Sequence, residues 1–272
     1  MIRRVNSGKN HHYVDDATGR RVPSVTTILD KGIPKPALVK WSGDATAEAA
    51  VDRWEELSEL PPATRLRELR AARYATRDAA ANRGSQVHAL AERLAMGETV
   101  TVPDELTGHV GSYVQFLDEW DVQPVMLERV VHSKRHDYCG TFDMIADLLD
   151  PWDPEPDPAL RRRVRWLLDI KTNRSGVFGE TALQLAAYRY ADVVIDEEAG
   201  EEIPMPEVEA TGVVHVRADG YDLVPVVAGP AQHRTFLYVQ QVAAFTEGGR
   251  DLIGEPLVSP QTSAYTLIRS ES

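Results

Sequence analysis

Asp169 and Lys171 stand two residues apart at the end of the apolar run Val164-Arg165-Trp166-Leu167-Leu168-Asp169-Ile170-Lys171-Thr172. Side chains alternate across a strand, so the acid and the lysine share one side while Leu168 and Ile170 turn into packing. Burying either charge alone is costly, and the usual compensation is a partner, a metal ion or a catalytic task. A strand-end pair at the solvent rim is the competing account, and this stretch alone does not decide between them. Three neighbouring segments carry further polar groups. Asp143 follows Gly140 in the strand-like stretch Tyr138 to Asp147, where the glycine lets backbone or ligand come close. Gln184 and Tyr188 lie one turn apart on one face of a helical segment from Glu180 to Tyr188. His88 sits at the apolar edge of a helical segment from Arg83 to Glu92.

In chain order these read GxxxH, GxxD, DxK and QxxxY. Each motif alone is weak, but the ordered set resembles the RecB-like branch of the PD-(D/E)xK nuclease superfamily, with phage and CRISPR-adaptation exonucleases as the expected relatives. The resemblance covers Arg83 to Tyr188. The segment Pro23 to Leu29, with the proline/lysine turn after it and Trp41, is similar to the start of phage-type members. The resemblance implies a restriction-endonuclease-like α/β fold, a mixed sheet flanked by helices with a helical N-terminal elaboration. It also implies phosphodiester hydrolysis with Mg2+ or Mn2+. Asp143 and Asp169 would then be the main oxygen ligands, joined by the Ile170 carbonyl between acid and lysine. His88 would add an imidazole ligand, which suits manganese better than magnesium. Lys171 would orient the attacking water and stabilise charge on phosphorus. Gln184 and Tyr188 would position the nucleic-acid backbone, and Glu128, on the preceding strand, would support the site. A core histidine and a surface glutamate are the plainer readings of His88 and Glu128. The implied partner is DNA, single- or double-stranded and engaged at linear ends, with a recombination protein as a further possible partner. A restriction-type endonuclease and a catalytically silent DNA-binding subunit of a recombination complex are the alternatives.

The whole chain sets bounds on these readings. Its 272 residues suffice for a sizeable core. One compact unit is expected, divided into a hairpin and helical wall over 1–82, a nuclease core over 83–248 and a tail over 249–272. No apolar run approaches a membrane span and the start lacks a signal-peptide core, so the expectation is a soluble protein of the bacterial or phage-infected cytoplasm. The single Cys139 removes both a disulfide framework and the iron–sulfur cluster that some relatives carry. A net charge of −12 argues against a protein that coats nucleic acid by bulk charge. It leaves room for a nuclease, because cations held by cleft carboxylates meet the phosphates.

The positioning elements follow from pattern. His11 to Val22 reads as two short strands about an Asp/Gly turn, and the adjacent His11 and His12 would face opposite ways rather than share a metal. Ala37 to Leu60 is periodic for one helix ended by Pro61-Pro62. A second helical stretch from Ala63 carries Arg65, Arg67, Arg70, Arg73 and Arg77, and Arg83 leads into the His88 segment. This excess is either a solvated face or a phosphate-backbone track. A helix is expected from Asp104 to Trp120 and a first catalytic strand from Pro124 to Val131. The acidic, proline-rich 150–158 reads as a hairpin connection, and Arg161, Arg162, Arg163 and Arg165 as its charge balance or a second DNA contact. Glu197 to Glu209 reads as a surface loop, the stretches 211–217 and 221–226 as a hairpin, and Gln232 to Glu247 as a closing helix.

Overall fold

The computed structural model describes residues 1–7, 10–173, 176–196 and 199–257, apart from the side chains of 7, 10, 73 and 75–81. In chain order the elements are β1 (Ile2–Ser7), β2 (Asn10–Asp15), β3 (Arg21–Val22), α1 (Val25–Gly32), α2 (Pro36–Asp52), α3 (Trp54–Glu59), α4 (Pro62–Ala95), α5 (Thr107–Glu119), β4 (Gln123–Ser133), β5 (Tyr138–Leu149), β6 (Arg163–Lys171), α6 (Glu180–Arg189), β7 (Val193–Asp196), β8 (Glu201–Pro204), β9 (Ala210–Arg217), β10 (Gly220–Pro225) and α7 (Pro230–Gly248). Short 3-10 turns precede α5 and follow α7. The architecture is α/β, as expected: a seven-stranded mixed sheet ordered β10-β9-β6-β5-β4-β7-β8, flanked by helices, beside a three-stranded sheet ordered β1-β2-β3. Among the described residues no helix is long and apolar enough to cross a membrane.

The central strands pair in a way that opens a fork. β5 runs antiparallel to β6 from Leu149↔Arg163 to Met144↔Leu168. Beyond that point the first half of β5 stays with β4, while Asp169, Ile170 and Lys171 of β6 stay with the parallel neighbour β9. The ladder between β5 and β6 therefore ends at Asp143 and Asp169, and the amide of Ile170 donates instead to Asp143 Oδ2 at 2.6 Å. One side of the sheet packs α6, α7 and α1 through Leu185, Ala186, Ala187, Tyr188, Phe236, Val25 and Ile28. The opposite cluster takes Leu168 and Ile170, with Ala91 of α4 and Phe116 of α5, which confirms the alternation expected of β6.

Local signals explain several boundaries. Ser24 caps α1, its Oγ accepting from the Thr27 amide at 3.1 Å. Pro62 and Pro230 stand at the first positions of α4 and α7, where a missing N–H costs nothing. Val87, Leu90, Ala91 and Leu94 give α4 a buried stripe at helical spacing. The N-terminal sheet buries Ile2, Tyr13 and Val22 against Val130, Cys139 and Ile195, so the single cysteine is a packing residue, and burial pushes its thiol well above the usual range.

Other expectations are corrected. The helix read over Ala37–Leu60 is two helices, α2 and α3, broken at Arg53, where φ is −118° and ψ 21°. The boundary placed at 82/83 falls inside α4, which runs unbroken for 34 residues. The surface loop read over Glu197–Glu209 contains β8, which continues the sheet by pairing Val193–Asp196 of β7 with Glu201–Pro204. β1 and α1 were not anticipated. The arginines opening β6 balance charge: Arg162 pairs with Asp150 and Glu209, Arg163 with Asp121, and Arg165 with Asp147. Most of the expected tail beyond Gly248 lies outside the described residues.

Gly140 marks the closest approach of α6 to the sheet. A Cβ there would lie 2.4 Å from the Tyr188 ring and 3.2 Å from Val25 Cγ2. We expect Gly140→Ala to lower the unfolding free energy by about 1–3 kcal/mol in a urea titration; an unchanged midpoint and slope would rule out this contact.

Candidate metal centre

Residues from several elements meet at the fork. α4 delivers His88 from the turn after Gly84, whose missing side chain leaves space beside Thr172 at the end of β6. His88 Nδ1 lies 3.7 Å from Asp143 Oδ2 and 4.0 Å from Glu128 Oε1. These three form a group able to hold a metal ion, the only such His/Cys/Asp/Glu group among the described residues. Glu128 enters it by an unusual route. Its φ is +46°, although Leu127 and Arg129 on either side remain paired with Met144 and Phe142 of β5. A non-glycine residue in the left-handed region inside a strand is strained, and such strain persists only where surrounding structure imposes it.

On the other prong of the fork, Asp169 is only 3% exposed, which excludes the solvent-rim reading for it. Its Oδ1 accepts from Gln184 Nε2 at 2.8 Å, and the same amide nitrogen donates to Tyr188 Oη at 3.3 Å. Lys171 Nζ lies 2.8 Å from Asp169 Oδ2. Asp169 is thus held on both oxygens, by Gln184 on one and by the close Lys171 ion pair on the other.

The electrostatics follow from crowding. Burial pushes Glu128 up to about 7, with repulsion from Asp143 adding to it. Asp169 is raised by burial, then by Asp143, against the pull of Lys171. Burial would lower Lys171, but Asp169 and Asp143 outweigh it and hold the ammonium protonated. Tyr188 is raised well above the ordinary phenol by burial, so it serves as a neutral hydrogen-bonding group. Excess carboxylate for the single lysine is the condition that a divalent cation relieves. The donor set fits one: carboxylate oxygens with a single imidazole suit Mg2+ or Mn2+.

The structure brings together every residue of the expected core: His88, Glu128, Asp143, Asp169, Lys171, Gln184 and Tyr188. Their grouping differs in detail. Glu128, expected in a supporting role, joins His88 and Asp143 in the group able to hold a metal ion, and Asp169, expected as a ligand beside Asp143, pairs with Lys171 and Gln184. Besides the carbonyl it is expected to offer, Ile170 presents its amide to Asp143. Gln184 orients Asp169, a contact that helical spacing alone could not reveal. Of the arginines on α4, Arg65 is spent on the carbonyls of Leu57, Ser58 and Leu60, and Arg67 meets Glu68. Arg70 is exposed and Arg83 half-buried, while the side chains of Arg73 and Arg77 lie outside the described residues. Residues the motifs missed come from the N-terminal sheet, where Arg4 NH1 approaches Glu128 Oε2 to 4.0 Å and Tyr13 Oη meets Thr141 Oγ1 at 2.7 Å.

No protein-family model matches this sequence, and no curated protein matches it significantly.

A raised carboxyl has a definite thermodynamic sign. Between an unfolded value of about 4.3 and the folded value of about 7, the folded cation-free protein binds more protons at Glu128 than the unfolded chain does. Stability from this group is therefore lost as pH rises through that window and is level above it. In EDTA, wild type should lose on the order of 1–3 kcal/mol more than Glu128→Gln between pH 4.5 and 7. Parallel pH profiles for the two proteins would exclude the assignment.

Proposed function

We propose that the chain is a metal-dependent deoxyribonuclease that hydrolyses phosphodiester bonds, working as an exonuclease at linear ends in phage or bacterial recombination or replication. The observation that carries this reading is the fork. There a His88/Glu128/Asp143 group able to hold a metal ion stands beside a buried carboxylate paired with a lysine.

Hydrolysing a phosphodiester needs an activated water, neutralised non-bridging oxygens and a stabilised leaving oxygen. Cations bound at His88, Glu128 and Asp143, with Asp169 alongside, would supply charge neutralisation and lower the pKa of water. Lys171 is kept protonated by the two aspartates, so it acts as a charged donor towards the attacking water and the phosphoryl oxygens. As the oxygen of water bonds to phosphorus, the bond to the leaving deoxyribose oxygen breaks, and that oxygen takes up the proton that the water gives up. Gln184 holds Asp169 in register, and Tyr188, packed against Gly140, fixes Gln184 in turn. The acidic balance of the chain fits a cleft that recruits cations and meets phosphates through them. The exonuclease form rests on the absence of an element suited to reading a sequence among the described residues.

The test is digestion of end-labelled linear duplex, linear single strand and closed circle with Mn2+, Mg2+ or EDTA. Loss of the linear substrates only, and only with metal, is expected. Lys171→Ala and Asp169→Asn should each reduce the rate by about 100-fold or more, with Lys171→Ala still binding Mn2+ in calorimetry. A wild-type rate in either variant would sink the reading, and cleavage of the circle would replace the exonuclease with an endonuclease. His88→Ala should weaken Mn2+ more than Mg2+, seen as a higher metal concentration at half-maximal rate.

A further inference from the structure

A cavity opens beside the candidate metal centre, between the N-terminal sheet and the fork. It has a volume of about 150 Å³ and is bounded by Arg4, His11, Tyr13, Thr26 and Thr141, with Glu128 and Tyr188 on its catalytic side. The roles described above leave Arg4 unexplained. Its Nε is buried with no hydrogen-bond partner, and its NH1 stands 4.0 Å from Glu128 Oε2, too far for a hydrogen bond. A buried guanidinium N–H without an acceptor costs free energy, which an incoming oxyanion recovers.

The surrounding groups favour the same ligand. Tyr13 Oη meets Thr141 Oγ1 at 2.7 Å and His11 Nε2 at 3.4 Å, a relay of groups able to donate. Thr26, in the first turn of α1, stands at the positive end of that helix. The one carboxylate on the wall is Glu128, which belongs to the ligand cluster and loses its repulsion when a cation is shared there. The cavity has room for a phosphate group.

We infer that the N-terminal sheet contributes a phosphate subsite beside the hydrolytic centre, with Arg4 as its main cation, gripping the phosphate next to the scissile one. The inference rests on the nuclease reading and adds to it a second point of hold on the substrate strand. The ligand chemistry is a phosphate ester, either a terminal monoester or an internal diester.

The experiment is steady-state hydrolysis with Mn2+ by wild type, Arg4→Gln and Arg4→Lys. The oligonucleotides carry a 5′-phosphate, a 3′-phosphate or hydroxyls at both ends. Arg4→Gln should raise KM roughly tenfold or more with kcat within about twofold, and Arg4→Lys should recover part of the loss. If the ligand is a terminal monoester, the effect is confined to one phosphorylated end; if it is an internal diester, all substrates suffer alike. An unchanged KM in Arg4→Gln, while wild type cleaves, overturns the subsite and leaves the nuclease reading standing. A loss in kcat with KM intact also overturns it, because Arg4 then acts through Glu128 on the reaction centre. Failure of wild type to cleave any substrate overturns both readings. Thermal unfolding checks that the variants fold. Should Arg4→Gln not fold, His11→Gln takes its place, with a smaller rise in KM expected and an unchanged KM overturning the subsite.

Discussion

Glu128, Asp143 and Asp169 share a cleft, Asp169 buried and the other two partly so, and one lysine and one histidine face them. Coulomb repulsion between carboxylates is strong at such separations and weakly screened by burial, so the arrangement is stable only with protons, a cation or both. Much of the surrounding structure serves to impose it. Asp169 is pinned on Oδ1 by Gln184, Asp143 takes the Ile170 amide, and Glu128 is kept in a backbone conformation that a free strand would avoid. Each restraint prevents a relaxation that would otherwise carry the acids apart.

The restraints come from different layers of the fold. Sheet pairing brings β5 and β6 together as far as Met144↔Leu168 and then lets them part, so that the two aspartates stand at the apex of the gap. α6 occupies that gap from the side of the main core, with Tyr188 against the bare backbone of Gly140. α4 approaches with the turn that carries His88, anchored through Val87 and Ala91. The N-terminal sheet closes the remaining side and brings Arg4 towards Glu128. A site built from pieces this far apart in the chain requires the whole domain to be folded.

Much of this was legible in the residues. The alternation of Val164 to Thr172 requires Asp169 and Lys171 to lie on one side once the segment is a strand, and the ion pair between them follows. The four-residue spacing of Gln184 and Tyr188 likewise requires a shared helix face. What escaped was imposed by tertiary contacts with no local signature. No glycine or asparagine announces the left-handed conformation at position 128, because the conformation is enforced by neighbours rather than preferred by the residue. β8 reads as loop from its acids and its proline, and becomes a strand only because β7 offers an edge to pair with. The break at Arg53 interrupts a pattern whose periodicity continues across it. The reach of Arg4 depends on how the first sheet packs on the second, which Ile2, Tyr13 and Val22 determine together.

The fork also has a consequence for the integrity of the sheet. Where β5 and β6 separate, each strand turns an edge inwards, in the middle of the sheet rather than at its margin, met in part by the Pro23 carbonyl, which accepts from the Cys139 amide, and by Asp143, which takes the Ile170 amide. Exposed edges are templates on which another chain can add a strand, and proteins ordinarily protect them with charge, with twist or with a covering element. Here the cover is α6, and the nearest polar groups are the site's own acids and lysine. Displacing this helix would at once dismantle the side-chain cluster and uncover the part of that edge left without backbone partners. Loss of the cluster and the onset of aggregation are therefore tied to the same local opening.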